Sequence, residues 1–302
     1  MHQQYEFSLW EGSPKRFLRT IGDAALRIRR HIPRRLWAFW DSADLPLITK
    51  ACLNSWPAHF PKHTIVVVTP ETIEQYCGAV PDAVRRLSPQ KLSDWVRLQV
   101  LERYGGIWID ATTLFLGPID DILAYCEHKR PDLFAFTGGT SDKDFPMFEN
   151  FFLASPRQGR AIRRINGEYR KVIHQGDANY VKGACRRIGA NNAFQKFPNS
   201  PYFSQHVAIQ MLIRRRPRIK IGYTERESIP FALQAVYRWD LERLAEVLTN
   251  GEEAPKHVRM VKITGKMRKA IEEHLKEHTL HPNSLIGRHL QQREITVTRV
   301  AA

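Results

Sequence analysis

The stretch that most constrains this chain is 88–112, where one helix, one glycine pair and one short apolar run end on an aspartate. Ser88-Pro89 reads as a helix start, a capping hydroxyl followed by a proline whose missing N–H costs nothing there. Leu92, Val96, Val100 and Tyr104 recur at helical spacing and give the helix an inward face. Gly105-Gly106 ends it, because glycine takes a left-handed C-terminal residue without strain. Ile107-Trp108-Ile109 then forms a buried strand that delivers Asp110 to its C-terminal end, the edge of an open α/β sheet where ligands bind. Asp94 and Arg97, three apart, share a helix face expected to look at the same cleft. The plain alternative is a surface ion pair worth roughly 0.2–0.5 kcal/mol.

Ahead of this stretch, 36–40 reads as a core strand, 44–56 as a helix and 63–68 as a second buried strand. A short helix follows, opened by Thr69-Pro70. This β-α-β-α rhythm outlines a parallel nucleotide-binding half-sheet. After Asp110, 113–116, 133–136 and 151–154 read as strands. Segments 157–171, 201–215, 238–249 and 265–278 read as helices, while 180–198 shows no clear pattern. Gly138 to Asp142 (GGTSD) reads as a loop suited to acceptor binding.

A chain of 302 residues with 43% hydrophobic and 25% charged residues has the make-up of a folded globular domain. No apolar run approaches the roughly 20 residues of a membrane-spanning helix, and the N-terminus lacks a signal-peptide core. Cys52, Cys77, Cys126 and Cys185 stand singly, which suits a reducing compartment and argues against structural zinc. The cytoplasm is the expected location. The net charge of +15 implies an anionic partner: nucleotide diphosphate, acidic glycan, lipid headgroup or nucleic acid. Residues 14–30 carry Lys15, Arg16, Arg19, Arg27, Arg29 and Arg30 against Asp23, with Phe17, Ile21, Ala25 and Ile28 at helical spacing. They are expected to form a basic amphipathic helix that lies on an anionic membrane surface or packs on the domain. The run Arg214 to Arg216 with Arg218 and Lys220 reads as a solvated face or a site for an acidic glycan or phospholipid. No P-loop, dinucleotide fingerprint, H-E-x-x-H or nucleophile motif occurs. The absence of a helix-turn-helix, zinc finger or RNP-like motif leaves no specific nucleic acid expected.

SDWVRLQVLERYGGIWIDAT, 93–112, resembles the signature of the capsular polysaccharide synthesis family of glycosyltransferases, which is related to the larger group with a D-x-D sugar-nucleotide motif. Further blocks resemble that family in the same order: Ile32-Pro33 with Trp37 and Trp40, Asn54-Ser55-Trp56, and Asn150 to Ser155. Tyr202-Phe203 with His206, and Lys262-Ile263-Thr264 with Lys266, follow. The resemblance implies a GT-A-like single α/β domain over 32–290, its central mixed sheet flanked by helices, with a basic appendage at 1–31 and a tail at 291–302.

It also implies a glycosyltransferase of hexosyl type that uses a nucleotide-diphosphate sugar, a UDP-sugar first. The acceptor is a saccharide or lipid-linked saccharide of capsule or exopolysaccharide synthesis, on the inner face of the membrane. Asp110 corresponds to the first motif aspartate, while Thr112, a weaker metal ligand, stands at the second. A divalent cation, Mn²⁺ or Mg²⁺, is implied at Asp110, with His206 as a further ligand. Asp94 is expected to bond donor-sugar hydroxyls, and Arg97 to orient it or meet phosphate. Trp37, Thr112, Lys262 and Lys266 complete the implied donor site. A catalytically decayed membrane scaffold and a basic nucleic-acid-binding protein are the competing classes.

Overall fold

The computed structural model describes residues 19–21, 31–138, 145–188, 201–215 and 218–291. Its elements begin β1 (Arg19–Ile21), β2 (Arg35–Phe39), α1 (Leu47–Asn54), α2 (Trp56–His59), β3 (Thr64–Val68), α3 (Ile73–Cys77) and α4 (Asp82–Arg85). The central part is α5 (Pro89–Tyr104), β4 (Gly106–Ile109), β5 (Thr113–Phe115), α6 (Asp120–Lys129), β6 (Leu133–Thr137) and β7 (Phe148–Ser155). There follow α7 (Arg160–Gln175), α8 (Asp177–Ile188), α9 (Ser204–Arg214), β8 (Ile221–Glu225), α10 (Ala232–Val236), α11 (Leu241–Thr249), β9 (Met260–Lys262) and α12 (Gly265–Glu277).

Seven strands form one sheet in the order β1-β8-β6-β7-β4-β2-β3. β2 lies parallel to both β3 and β4, whereas β7 runs antiparallel to β4 and β6. The sheet is therefore mixed, as expected, and both its faces are covered. One apolar core holds Val96, Val100, Trp108 and Ile165; a second, fed by the other face of the same strands, holds Ile107, Ile109, Phe134 and Phe152. Alternate side chains of a strand point to opposite faces, so β4 contributes Trp108 to the first core and Ile107 and Ile109 to the second. A third core joins α1, α11 and α12 under a separate ribbon, β5 paired with β9.

The helix–turn–strand unit at 88–112 forms as its sequence dictates. Val96 and Val100 are fully buried. Ser88 occupies the N-cap, although its hydroxyl makes no capping bond. Gly105 and Gly106 have φ of +66° and +106°. A Cβ on Gly106 would sit 2.4 Å from the Arg35 carbonyl oxygen, so only glycine lets β4 leave the helix this close to β2.

Several elements depart from the sequence reading, among them the short helices α4 and α10, which it did not include. α8 occupies the start of the patternless segment, and β8 and β9 are strands of five and three residues that the sequence did not announce. Arg19–Ile21, expected inside an amphipathic helix, is an edge strand antiparallel to β8. Thr20 and Ile21 are β-branched, and pairing satisfies the otherwise open edge of β8. The rest of the expected appendage, the loop residues 139–142 and the tail from 292 lie outside the described residues. Among the described residues no helix is long and apolar enough to cross a membrane.

Candidate functional site

A cleft of about 520 Å³ opens at the C-terminal edge of β2 and β4. It is lined by residues of α5, the segment after β4, and the turn between β9 and α12. Its floor is a chain of alternating charges: Asp94, Arg97, Asp110 and Lys262. Arg97 Nη1 donates to Asp94 Oδ1 at 2.6 Å and Nη2 to Asp110 Oδ1 at 2.9 Å. Lys262 Nζ lies 2.9 Å from Asp110 Oδ2 and donates to the Thr112 hydroxyl at 2.8 Å. Trp108 Nε1 donates to Asp110 Oδ1 at 2.9 Å, and the Arg97 guanidinium lies 4.9 Å from the Trp108 ring centre.

This is not a surface ion pair. Arg97 is 3% exposed, and its Nη1 also donates to Gln205 on α9. Asn150 Nδ2 bonds both Asp94 Oδ1 and Gln205 Oε1 at 3.0 Å, and Gln205 Nε2 returns to the Asp94 carbonyl at 2.8 Å. Asp94 Oδ2 is left facing Lys91 Nζ at 4.0 Å, the less occupied acceptor of that carboxylate. Lys91 itself is tied to Asp177 at 2.8 Å and to Ser204 at 2.7 Å.

Burial pushes both carboxyl groups up, and the cations decide the outcome differently at each. At Asp110 the opposing charges of Lys262 and Arg97, with the Trp108 N–H, win and hold the carboxyl well below its usual range. At Asp94 burial outweighs Arg97 and Lys91, and the carboxyl stays above its ordinary value. Burial alone would lower the Arg97 guanidinium, but Asp110 and Asp94 raise it, so it remains charged.

Several residues expected at the site are placed elsewhere or in other roles. Trp37 is fully buried in the first core, its Nε1 donating to the Gly105 carbonyl at 2.9 Å, and does not reach the cleft. Its aromatic partners are Tyr76 and Tyr104; the apolar pattern, not a ligand, fixes it. Lys266 is exposed on the first turn of α12 and does not line the cleft. Arg97 bonds Asp94 and Gln205 through Nη1 and Asp110 through Nη2, and so ties the two carboxylates together. Within the basic run, Arg215 pairs with Glu168 and Arg214 lies over the Phe145 ring.

His206 lines the cleft on α9, but its Nε2 sits 3.5 Å from Glu149 Oε2, with Arg226 on the other oxygen of that carboxylate. The Nε2 side of His206 is therefore taken up by Glu149. Among the described residues no three His, Cys, Asp or Glu side chains are placed to hold a metal. The donor set itself does not suit a hard divalent cation, which takes several negative or neutral oxygens. Both Asp110 oxygens face cationic or N–H donors, and the second motif position offers one hydroxyl, already bonded to Lys262.

Sequence reasoning missed Gln205, Asn150, Lys91 and Trp108 as site members. Asn150 and His206 stood in quoted blocks, and Gln205 adjoins one. Trp108 was read as core only, and it is core; its indole edge nevertheless reaches Asp110.

The profile of a family described as "Capsular polysaccharide synthesis protein" matches residues 23–177, which carry Asp94, Arg97, Asp110 and Asn150 but not His206 or Lys262. No curated protein is detectably similar. The course of the chain is similar to a glycosyltransferase involved in glycosylation of the major capsid of PBCV-1, with 9% identity and a TM-score of 0.40, over 81% of this chain and 98% of the other. It is also similar to a galactosyltransferase solved with donor and acceptor sugar analogues, with 12% identity and a TM-score of 0.38, over 82% and 97%. For the PaToxG glycosyltransferase the values are 9% and 0.35, over 61% and 79%. At these values the solved structures add nothing to the reading of the site.

Proposed function

The chain belongs to the capsular polysaccharide synthesis family, and from that premise we propose that it is a glycosyltransferase. Its cleft takes a nucleotide-diphosphate sugar, a UDP-sugar first, and passes the sugar to a saccharide or lipid-linked saccharide. The observation that carries this reading is the buried Asp94–Arg97–Asp110 network opening into one cleft at the end of β4. A volume of about 520 Å³ suits a ligand of that size. Transfer breaks the bond between the anomeric carbon and the diphosphate oxygen, and the electron pair leaves with the diphosphate. A bond to the acceptor hydroxyl oxygen forms, and that hydroxyl's proton passes to solvent water.

Each residue then has one task. Asp94 Oδ2 accepts from a donor hydroxyl, because Oδ1 is already committed to Arg97 and Asn150. Arg97 and Asn150 hold that carboxylate still, which is the preorganisation that transfer requires. Lys262 and Arg268 line the cleft beside the α12 N-terminus and offer positive charge to the departing diphosphate. Asp110 anchors Lys262 and Arg97 in register. A peripheral position on the inner membrane surface fits a lipid-linked acceptor, and vesicle flotation of the full chain tests it.

Thermal melting with UDP, GDP and CMP, followed by transfer assays with sugars of the nucleotide that binds, tests the proposal. A ligand at about a hundred times its Kd adds roughly 2.7 kcal/mol, a shift of a few degrees here. One nucleotide should raise the Tm, and Asp110→Asn should abolish transfer while the variant still folds, its unliganded Tm lower by about 5–8 °C because Arg97 and Lys262 lose a buried partner. No shift with any nucleotide, or full activity in Asp110→Asn, refutes the reading.

A further inference from the structure

The residues that would hold a metal in this motif are already occupied by a side chain. Lys262 Nζ is 2.9 Å from Asp110 Oδ2 and 2.8 Å from Thr112 Oγ1, the two side chains of D-A-T that a divalent cation would take as ligands. The ammonium has three donors. Two are spent on these oxygens, and Lys262 lines the cleft, so the third is available to a ligand there. Its side chain is only 13% exposed and its Nζ lies 5.8 Å from the Phe151 ring centre, which limits where the head can go.

The position is built by the fold rather than reached by a floppy stem. β5 pairs with β9 in a register that sets Thr113 opposite Lys262, and Ile263 N donates to the Thr112 carbonyl at 2.9 Å. Lys262 N donates to Pro230 O at 2.8 Å and Gln234 Nε2 to Lys262 O at 2.8 Å, so both backbone polar groups are fixed. A threonine where the wider motif has an aspartate fits this arrangement. An ammonium carries one charge, is neutralised by Asp110 alone, and needs only a neutral acceptor at the second position. A divalent cation there would face Lys262 and Arg97 on either side of Asp110 and one hydroxyl.

We infer that Lys262 fills the metal position of this cleft, and that the chain binds a nucleotide diphosphate without a divalent cation. The inference rests on the nucleotide-sugar reading above. It places the charge of the diphosphate on a side chain whose position the β5–β9 pairing fixes. Removing that side chain frees Asp110 Oδ2 and Thr112 Oγ1 together, and so opens the position to a metal.

The experiment is calorimetric titration of the full chain with UDP, GDP and CMP, in EDTA and in Mn²⁺. Paramagnetic resonance measures Mn²⁺ binding to the protein alone and with nucleotide. Wild type should bind one nucleotide with the same Kd, within about twofold, in both media. Lys262→Met, close in length and uncharged, should bind it about ten- to a hundredfold more weakly in EDTA, the loss of a hydrogen bond from a charged donor. Mn²⁺ should recover part of that loss, with bound Mn²⁺ visible in the variant and not in wild type. Lys262→Arg serves where the Met variant fails to fold, and should keep binding metal-indifferent.

Nucleotide binding by wild type only in Mn²⁺ overturns the inference and leaves the proposed function standing. An equal Kd for Lys262→Met and wild type in EDTA also overturns it, since the ammonium would then carry none of the binding. If no nucleotide binds in either medium, the nucleotide-sugar reading falls and this inference with it.

Discussion

Replacing Arg97 by Met keeps most of the stem and removes the charge from the centre of the network. Arg97 is 3% exposed and bonds Asp94 at 2.6 Å and Asp110 at 2.9 Å. Without it Asp110 keeps Lys262, but Asp94 keeps only Asn150 and a lysine at 4.0 Å. Breaking a buried pair by removing one partner costs about 3–5 kcal/mol, because the other charge stays behind. With an unfolding entropy of roughly 2.1 cal/mol/K per residue, 302 residues give about 0.6 kcal/mol/K. The Tm should therefore fall by about 5–8 °C.

The pH dependence separates charge from packing. Burial already holds the Asp94 carboxyl above its ordinary value against Arg97 and Lys91, and without Arg97 it rises further. A carboxyl raised in the folded state costs stability above its folded pKa, and the cost is relieved as pH falls towards it. The deficit of Arg97→Met, read from urea unfolding, should shrink as pH falls from neutrality towards the raised carboxyl pKa. Adding Asp94→Asn should recover part of it at pH 7. A deficit under about 1 kcal/mol, the worth of an exposed pair, or one unchanged by pH, would refute the account.

Two further expectations concern stability. Gly106→Ala places a Cβ at 2.4 Å from the Arg35 carbonyl oxygen and at a φ of +106°, so it should cost more than a core methyl deletion and lower both Tm and soluble yield; a wild-type Tm would refute this. His289 is 7% exposed with neither ring nitrogen bonded, and burial, with Arg288 and His59, lowers its pKa to about 4. The neutral ring is favoured, so its contribution is complete above the unfolded value near 6.5 and is lost as pH falls towards 4, about 3 kcal/mol in all. His289→Leu should flatten that slope in urea midpoints, and an unchanged slope would refute it.

The parts of the site legible in the sequence are those that one contiguous segment builds. Asp94, Arg97 and Asp110 lie within 17 positions of helix, glycine turn and strand, and local rules give their relative placement. What local rules cannot give is how far inside they sit. The spacing of Asp94 and Arg97 fits an exposed pair equally well, and it is partners remote in sequence, Asn150 on β7 and Gln205 on α9, that enclose them. Gln205 lies 108 positions from Arg97, and no periodicity links the two. Trp37 shows the reverse error. The family resemblance implies a donor-binding residue there, yet the Gly105 carbonyl satisfies its N–H inside the core. The helix expected over 14–30 fails at Arg19–Ile21 for a similar reason, since an open sheet edge outranks a weak amphipathic pattern.

The cleft is in effect the seam between two sheets. Asp110 follows the last residue of β4, Thr112 lies on the same three-residue link (110–112) into β5, and Lys262 comes from the partner strand of the ribbon. The ribbon rests on a core of its own, in which Leu114 and Val261 meet Met267 and Ile271 of α12. The position of the Lys262 ammonium is thus set by the third core, which brings α1 and β5 together with α11, β9 and α12, and that of Asp110 by β4 pairing with β2 and β7. A single ion pair of 2.9 Å reports whether the two agree. The matched family segment, ending at 177, carries Asp94, Arg97 and Asp110, while Lys262 lies beyond it on β9.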